Sequence, residues 1–223
     1  SFVATAASAG ARAAVTVPVI GWVAKDNRVS CGFPTSSFPS QDSTDYWWPA
    51  CGNGQSGGSA LTPLAPTLTS KAFTTSDMTA MAAHLRASAP AGTSPMVYQL
   101  DNEPSLWNST HRDVRPTAPT GADLFARSTS AADAIVAGDP TALASGPGDW
   151  GWCAYFFFPK DGCGDGADRT ANGSIDLGAA YLKAFHDHDV LVGHRTLAVL
   201  DEHFYPQGDG IALTTAGDAA HQA

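Results

Sequence analysis

A single glutamate stands where the sequence is best suited to acid–base chemistry. Residues 97–107 read VYQLDNEPSLW, an apolar run that leads into an acid, an amide, a proline and an aromatic ring. Such a run predicts a short buried strand with Glu103 just beyond its carboxyl end. The amide of Asn102 can bond a sugar hydroxyl, and nearby aromatic rings can raise the pKa of a carboxyl group. These residue types predict that Glu103 is a general acid/base acting on a glycosidic bond.

A plain turn is the alternative interpretation of the same residues, since Asp, Asn and Pro all favour turns. Glycoside hydrolysis also needs a second carboxylate as nucleophile or base. Glu202 is the only other glutamate of the chain. Because side chains alternate along a strand, Glu202 should face the helical layer if Asp201 and His203 face the substrate, and a salt bridge is its favoured role. The sequence therefore contains a suitable acid and no evident nucleophile.

Further polar and aromatic residues lie at or just after the ends of predicted strands. Tryptophan rings offer flat apolar surfaces to pyranose faces, while carboxylate, imidazole and phenol groups hydrogen-bond hydroxyls. We expect substrate contacts from six of these residues: Trp107, Trp150, Trp152, Asp201, His203 and Tyr205. Trp47 and Trp48 are further candidates for sugar platforms. Packing in the core is the alternative for some of the tryptophans, and a structural hydrogen bond is the alternative for His203.

Four apolar segments predict the strands that must position these side chains. They are residues 14–20, 96–101, 142–145 and 197–201, of which the first is expected to be buried on both faces of a sheet. Capping residues and helical periodicity predict three long helices between them. These helices cover residues 77–87, 121–136 and 174–188, and Thr75 or Ser76 is expected to cap the first.

The long irregular segments of the chain follow strands, while the connections from helix to strand are short. Residues 23–68 and 146–173, both rich in glycine and proline, are the longest of them. Strand, long loop and helix in repeated order predict a parallel α/β fold. A (β/α)8 barrel builds its active site from the loops after its strands, so we expect the central portion of a (β/α)8 TIM barrel. A doubly wound sheet is the alternative, but no glycine-rich phosphate-binding turn follows any predicted strand.

Both ends of the sequence have the character of interrupted helices. Residues 1–12 are alanine-rich and resemble the end of a helix, and residues 214–223 resemble the beginning of one. We therefore expect residues 1–223 to form part of one catalytic domain that is truncated at both ends. The partner of this segment would then be the rest of its own longer polypeptide.

Four cysteines form two local pairs, Cys31 with Cys51 and Cys153 with Cys163, each inside one loop. Disulfides that staple long loops are typical of secreted proteins, and this pairing is the favoured interpretation. Zinc ligation fits less well, because neither pair has the C-x-x-C spacing and no histidine lies close by. Free buried thiols are the remaining alternative. The disulfide interpretation predicts an extracellular or periplasmic protein.

The formal charge of −9 argues against nucleic acid or an anionic membrane as a partner. No apolar run is long enough to span a bilayer. Asp161, Asp165 and Asp168 alternate with glycines, so a structural calcium ion in this loop is a secondary hypothesis, although the spacing is not that of an EF-hand. The predicted reaction requires no cofactor, and no catalytic metal site is expected.

Four motifs together resemble glycoside hydrolase family 44, which contains endo-β-1,4-glucanases and xyloglucanases. They are VTVPVIGWVAK at 15–25, YQLDNEP at 98–104, GPGDWGW at 146–152 and LDEHFYPQ at 200–207. The resemblance implies a (β/α)8 barrel and a retaining mechanism in which Glu103 is the acid/base. It places Asn102 near the substrate 2-hydroxyl, and we expect Trp22 and Lys25 of the first motif to contact substrate.

The family's nucleophile is a glutamate after the seventh strand, in a Thr-Glu-Tyr-like context that no segment of this chain matches. The resemblance therefore implies that the nucleophile lies outside this chain. Glu202 stands where relatives tend to have an aliphatic residue, which fits an outward-facing position. We expect a secreted retaining endoglucanase or xyloglucanase that binds β-glucan, with the isolated segment inactive. A non-catalytic carbohydrate-binding protein with the same aromatic rim is the alternative.

Overall fold

The computed structural model describes residues 1–205, which are built around a four-stranded parallel sheet. In chain order the strands are β1 (Ala14–Val17), β2 (Trp22–Ala24), β3 (Gln55–Ser56), β4 (Ser59–Ala60), β5 (Ser70–Ala72), β6 (Val97–Leu100), β7 (Leu143–Asp149) and β8 (Leu197–Glu202). The helices are α1 (Phe2–Ser8), α2 (Thr75–Ala87), α3 (Trp107–Thr110), α4 (Gly121–Gly138), α5 (Gly151–Phe156), α6 (Ala167–Ala171) and α7 (Leu177–Val192).

The central sheet has the strand order β1-β6-β7-β8, and every neighbouring pair is parallel. Consecutive strands of this sheet are connected through α2, α4 and α7, which is the arrangement of repeated βα units. The prediction of an α/β fold with a parallel sheet is confirmed. All four strands end at the same edge, so the loops that follow them meet there.

The long helices form where capping and apolar periodicity predict them. α2 begins after Thr74, which forms a capping box with Asp77, rather than after Thr75 or Ser76. α4 buries Leu124 and Ile135 as expected. α7 begins later than predicted, at Leu177, and extends beyond residue 188 to Val192, where the left-handed Gly193 caps it. Large side chains of these helices and of the sheet form one core: Tyr98, Leu100, Leu124, Ile135, Tyr181 and Phe185.

Two strands differ from their predicted character. β1 ends at Val17 and not near residue 20, and only Val17 of its four residues is buried, so it is not buried on both faces. Val19 and Ile20, just beyond the strand, are buried. β7 continues beyond Ser145 to Asp149, because its pairing with β8 extends through the Gly-Pro-Gly segment with two register shifts. This extension carries Asp149 to the edge where the strand-following loops meet.

The predicted loops contain short ordered elements. Residues 23–68 include the β3–β4 hairpin and part of β2, which pairs with β5 in a second small sheet. Residues 146–173 include α5 and α6. The two predicted disulfides are confirmed, and Cys31–Cys51 and Cys153–Cys163 each close a loop within these segments.

The helix expected over residues 214–223 lies outside the described residues. Within residues 1–205, the chain forms no helix long and apolar enough to cross a membrane.

Candidate active site

Glu103 lies in a tight turn that follows β6 at the shared edge of the sheet. Asp101 and Glu103 both have positive φ angles, of 70° and 50°, a conformation that few residues other than glycine adopt. The Asp101 carboxylate holds the start of this turn. It accepts hydrogen bonds from Ile20 N at 2.6 Å, Asn102 N at 2.8 Å and Trp107 Nε1 at 3.3 Å. Burial raises the pKa of Asp101, although these three bonds oppose the rise.

The far side of the turn is fastened to β7. The Glu103 backbone N–H donates to Gly148 O at 2.8 Å. Asp149 Oδ1 accepts from Ser105 N at 3.2 Å and Trp150 N at 2.8 Å, while Asp149 Oδ2 accepts from Ser105 Oγ at 2.7 Å. Asp149 is 0% exposed, and burial raises its pKa to about 6, with a smaller contribution from the charge of Glu103.

Two residues after β8 converge on one oxygen of Glu103. Tyr205 OH donates to Oε1 at 2.7 Å, and His203 Nδ1 lies 2.8 Å from the same atom. The bond to Glu103 raises the pKa of Tyr205. His203 is itself held through its backbone, since its N–H donates to Asp149 O at 2.9 Å and its carbonyl accepts from Tyr155 OH.

The Glu103 side chain is 19% exposed. Within residues 1–205 no protein group hydrogen-bonds Oε2, so one oxygen of the carboxyl is fixed while the other stays open to a ligand. This arrangement suits a group that must present a proton in one direction.

Glu202 lies against the helical layer. Its Oε1 lies near Gly178 in the first turn of α7, and its Oε2 is buried without a hydrogen-bond partner among the described residues. The expected salt bridge does not form in this part of the chain. Burial raises the pKa of Glu202 to about 8, and the charges of Asp149 and Asp201 add to the rise. A largely neutral acid near pH 7 replaces the predicted ion pair.

Trp107 has a position that does not fit its predicted sugar contact. It is 0% exposed and packs in the core, with its indole N–H bonded to Asp101 and the Arg115 guanidinium stacked 5.4 Å from its ring. Trp107 thus supports the turn of Glu103 from the core, through its bond to Asp101. The sequence pattern could not separate this role from ring stacking on sugar, because both place an aromatic ring shortly after the acid.

The other residues expected to bind substrate are accessible to different degrees. Trp22, Trp150, Asp201 and His203 are half-buried, while Asn102 and Tyr205 are exposed. Trp152 is 63% exposed. Ser145 Oγ donates to Asp201 Oδ2 at 3.5 Å. Their contacts with sugar stay predictions.

Lys25 and the aromatic pair Trp47 and Trp48 belong to the long segment that follows β1. Lys25 is exposed and its Nζ donates to Thr67 O at 3.0 Å, a bond that ties the two ends of this segment. Trp47 and Trp48 are exposed, and both of their backbone N–H groups donate to Asp45 Oδ1.

The three aspartates considered for calcium have protein partners. Asp161 accepts backbone N–H groups of Asp168 and Arg169, Asp165 pairs with Arg169, and Asp168 accepts from Gly121 N at 2.8 Å. Calcium binding in this loop stays a prediction.

Comparison with known proteins identifies the family. The profile of glycoside hydrolase family 44 matches residues 1–208. The chain belongs to glycoside hydrolase family 44. Endoglucanase A of Paenibacillus lautus is 33% identical to this family 44 chain over 122 residues, which are 55% of the chain and 17% of that relative. The beta-mannanase/endoglucanase A of Caldicellulosiruptor saccharolyticus is 32% identical over 124 residues, 56% of the chain and 9% of the relative.

Solved structures show the same relationship. CelM2, a bifunctional glucanase-xylanase from a metagenome library, is 33% identical with a TM-score of 0.87. That match covers 99% of the family 44 chain and 45% of CelM2. A family 44 xyloglucanase of Paenibacillus polymyxa is 23% identical, with a TM-score of 0.62 over 93% of the chain and 39% of the relative, which shows likeness of fold. The family 44 chain thus spans less than half the length of these relatives.

Ser105 and the contacts of Asp149 are the part of the site that sequence reasoning missed. Nothing in the sequence pairs Asp149 with Ser105, 44 positions earlier. The sequence signal that could have found Asp149 is the Gly-Pro-Gly segment before it, because such a segment can still pair as a strand and carry the following acid to the edge of the sheet.

Proposed function

We propose that this chain is part of a retaining, endo-acting glycoside hydrolase that cleaves β-1,4-glucan or xyloglucan, with Glu103 as general acid/base. The observation that carries the proposal is the geometry of the Glu103 carboxyl. Oε1 is held by His203 and Tyr205, while Oε2 is open among the described residues. Membership of family 44 supports the reaction class.

In the first step, Glu103 donates its proton to the glycosidic oxygen as the bond from that oxygen to the anomeric carbon breaks. A nucleophilic carboxylate forms a bond to the anomeric carbon at the same time, giving a glycosyl-enzyme. In the second step, the Glu103 carboxylate takes a proton from water, the water oxygen attacks the anomeric carbon, and the nucleophile leaves. Glu103 thus returns to its protonated state.

The nucleophile is proposed to come from a part of the polypeptide beyond this sequence. Glu202 is a poor candidate, because its Oε1 lies near the first turn of α7 and its Oε2 is buried without a hydrogen-bond partner among the described residues. The four parallel strands are proposed to be the central portion of a (β/α)8 barrel, whose remaining strands would bring the second carboxylate to the shared edge.

The proposed substrate class rests on the rim around Glu103 and on the named relatives. Trp22, Trp150 and Trp152 offer apolar faces to pyranose rings, and Asn102 and Asp201 offer polar groups to hydroxyls. The relatives include endoglucanases, a glucanase-xylanase and a xyloglucanase. Secretion of the protein is proposed from the two disulfides, which persist in oxidising compartments.

The test is hydrolysis of xyloglucan and carboxymethylcellulose by the complete polypeptide, which is measured as the release of reducing ends. Replacing Glu103 by Gln should lower turnover of these unactivated polymers by about 10²–10⁴-fold, since a positioned acid contributes that much. Asp187→Asn, at an exposed ion pair on α7, is the control and should leave turnover unchanged. A near-normal rate for Glu103→Gln would remove Glu103 from its role. Binding of polymer without hydrolysis by the unaltered protein would instead indicate a carbohydrate-binding protein.

A further inference from the structure

We infer that Asp149 is a positioning residue for Glu103, which it holds by bonding both chain segments that determine where the Glu103 carboxyl lies. The inference rests on the proposed function of Glu103. Asp149 touches neither the Glu103 carboxyl nor, on the proposed mechanism, the substrate, so it acts through its neighbours.

The first segment is the turn itself. Asp149 accepts both the backbone N–H and the hydroxyl of Ser105, two residues after Glu103, and the adjacent Gly148 carbonyl accepts the Glu103 N–H. Glu103 has a φ of 50°, in the left-handed region that a non-glycine residue adopts only where surrounding bonds enforce it. The bonds from Gly148 and Asp149 supply that enforcement on the side away from Asp101.

The second segment carries the groups that bond Glu103 Oε1. The Asp149 carbonyl accepts the N–H of His203, and His203 Nδ1 lies 2.8 Å from Oε1. Asp149 therefore reaches the backbone of the Glu103 turn through Ser105, and it reaches the Glu103 carboxyl through His203. The Asp149 side chain is also 0% exposed, so neither solvent nor an alternative rotamer can readily replace its bonds.

Charge alone does not explain a carboxylate at this place. The charge of Glu103 raises the pKa of Asp149. The charges of Asp149 and Asp201 in turn raise the pKa of Glu202. A buried acid among acids is electrostatically unfavourable. Three hydrogen bonds to Asp149 compensate for this cost. Their donors are the backbone N–H and the hydroxyl of Ser105 and the backbone N–H of Trp150.

The family 44 chain contains a matched control for a purely structural aspartate. Asp139 is also 0% exposed and accepts the N–H of Thr141 at 3.0 Å and its hydroxyl at 2.7 Å, the same pair of bonds that Asp149 accepts from Ser105. Asp139 lies before β7, at the opposite end of that strand from Glu103. Asp139 Oδ2 also accepts from Tyr98 OH of β6 at 3.2 Å. Asp139→Ala therefore removes three bonds, as Asp149→Ala does, and none of them comes from a residue of the Glu103 turn.

The experiment compares kcat/KM of the complete polypeptide on two substrates. One is a polymer, xyloglucan, whose leaving group needs protonation; the other is a 2,4-dinitrophenyl β-cello-oligosaccharide, whose leaving group does not. Asp149→Ala should lower kcat/KM on the polymer by about 100-fold, because a displacement near 1 Å of a catalytic group has that effect. It should change kcat/KM on the aryl substrate by less than about 5-fold. Asp149→Asn keeps an oxygen for the two N–H donors and should recover most of the loss on the polymer.

Asp139→Ala should lower the melting temperature without changing the ratio of the two kcat/KM values. Equal losses on both substrates for Asp149→Ala, or no loss on either, would overturn the inference. If Asp149→Ala does not fold, Ser105→Ala decides: it should lower kcat/KM on the polymer selectively, and an unchanged ratio would again overturn the inference. Glu103→Gln, measured in parallel, separates the two proposals. If it lacks the selective loss, the proposed function fails; if it shows the loss and the Asp149 variants do not, only the positioning role fails.

Discussion

Three carboxylates within a few residues of the sheet edge have three different environments. Glu103 is partly exposed and has donors on one oxygen, Asp149 is fully buried with donors on both oxygens, and Glu202 has a buried oxygen with no donor among the described residues. Burial raises the pKa of Asp149 to about 6 and that of Glu202 to about 8. Since an acid that lacks donors gains nothing to offset desolvation, the larger rise belongs to Glu202.

The raised pKa of Glu202 predicts a pH-dependent stability. Between its ordinary value of 4.5 and about 8, the folded protein retains a proton that the unfolded chain has lost, so stability falls as pH rises through this window. Glu202→Gln in the complete polypeptide removes this term. We expect its melting temperature to exceed that of the unaltered protein by about 2–4 °C at pH 8.5, with a smaller difference at pH 5. Differential scanning calorimetry at the two pH values measures this.

The matched control for Glu202→Gln is Asp187→Asn, which changes an exposed carboxylate of α7 that pairs with Lys183 and not with a histidine. Its difference in melting temperature should be the same at both pH values. A difference that is the same at both pH values for Glu202→Gln would show that its protonation is not linked to folding.

At the scale of elements, the extension of β7 connects the parallel sheet to the Glu103 turn. Gly148 is the residue at which the backbone must change direction, with a φ of 63°. Its position is also crowded, because a Cβ there would lie 2.7 Å from Gln99 Nε2 and 3.3 Å from Asp101 O. Only glycine satisfies both conditions while its carbonyl accepts the Glu103 N–H.

Gly148→Ala should therefore destabilise the complete polypeptide and lower its turnover. The left-handed conformation alone accounts for about 1–2 kcal/mol of lost unfolding free energy, and displacement of Gln99 or of the turn adds to it. Gly193→Ala is the matched control, since Gly193 has a φ of 79° with open space around it. Urea denaturation and polymer hydrolysis distinguish them: Gly193→Ala should lose stability alone. Equal losses of stability and unchanged turnover for both variants would contradict the role of Gly148.

The sequence predicts elements and strand-end residues better than it predicts their contacts. Period and composition locate the four parallel strands and place Glu103 after β6, because these depend on local burial. Hydrogen bonds from His203 and Tyr205 to Glu103 depend on strand order and register, which join residues about 100 positions apart. The local pattern of Trp107 fits both a ring in the core and a ring on the surface, and the structure buries this ring completely.

At the scale of the whole molecule, both sides of the described sheet end in outer strands. β1 and β8 each have a single neighbour in the described sheet, and Val199 and Leu200 of β8 are both more than 40% exposed. The adjacent end of α7 exposes Val190 and Leu191. Apolar groups and free strand edges at one side of a parallel sheet are the features that further strands of a barrel would cover.

The isolated 223-residue polypeptide is therefore expected to self-associate and to lack activity on xyloglucan, while the complete polypeptide should be active and free of this association. Light scattering coupled to size-exclusion chromatography measures the first property and release of reducing ends the second. Val199→Lys should reduce association of the isolated polypeptide, because a charged side chain on an outer strand opposes edge-to-edge pairing. Ser59→Lys, on the exposed β3–β4 hairpin, adds the same charge elsewhere and should not. A monodisperse isolated polypeptide that hydrolyses the polymer would show that residues 1–223 contain the nucleophile and that the outer strands need no covering.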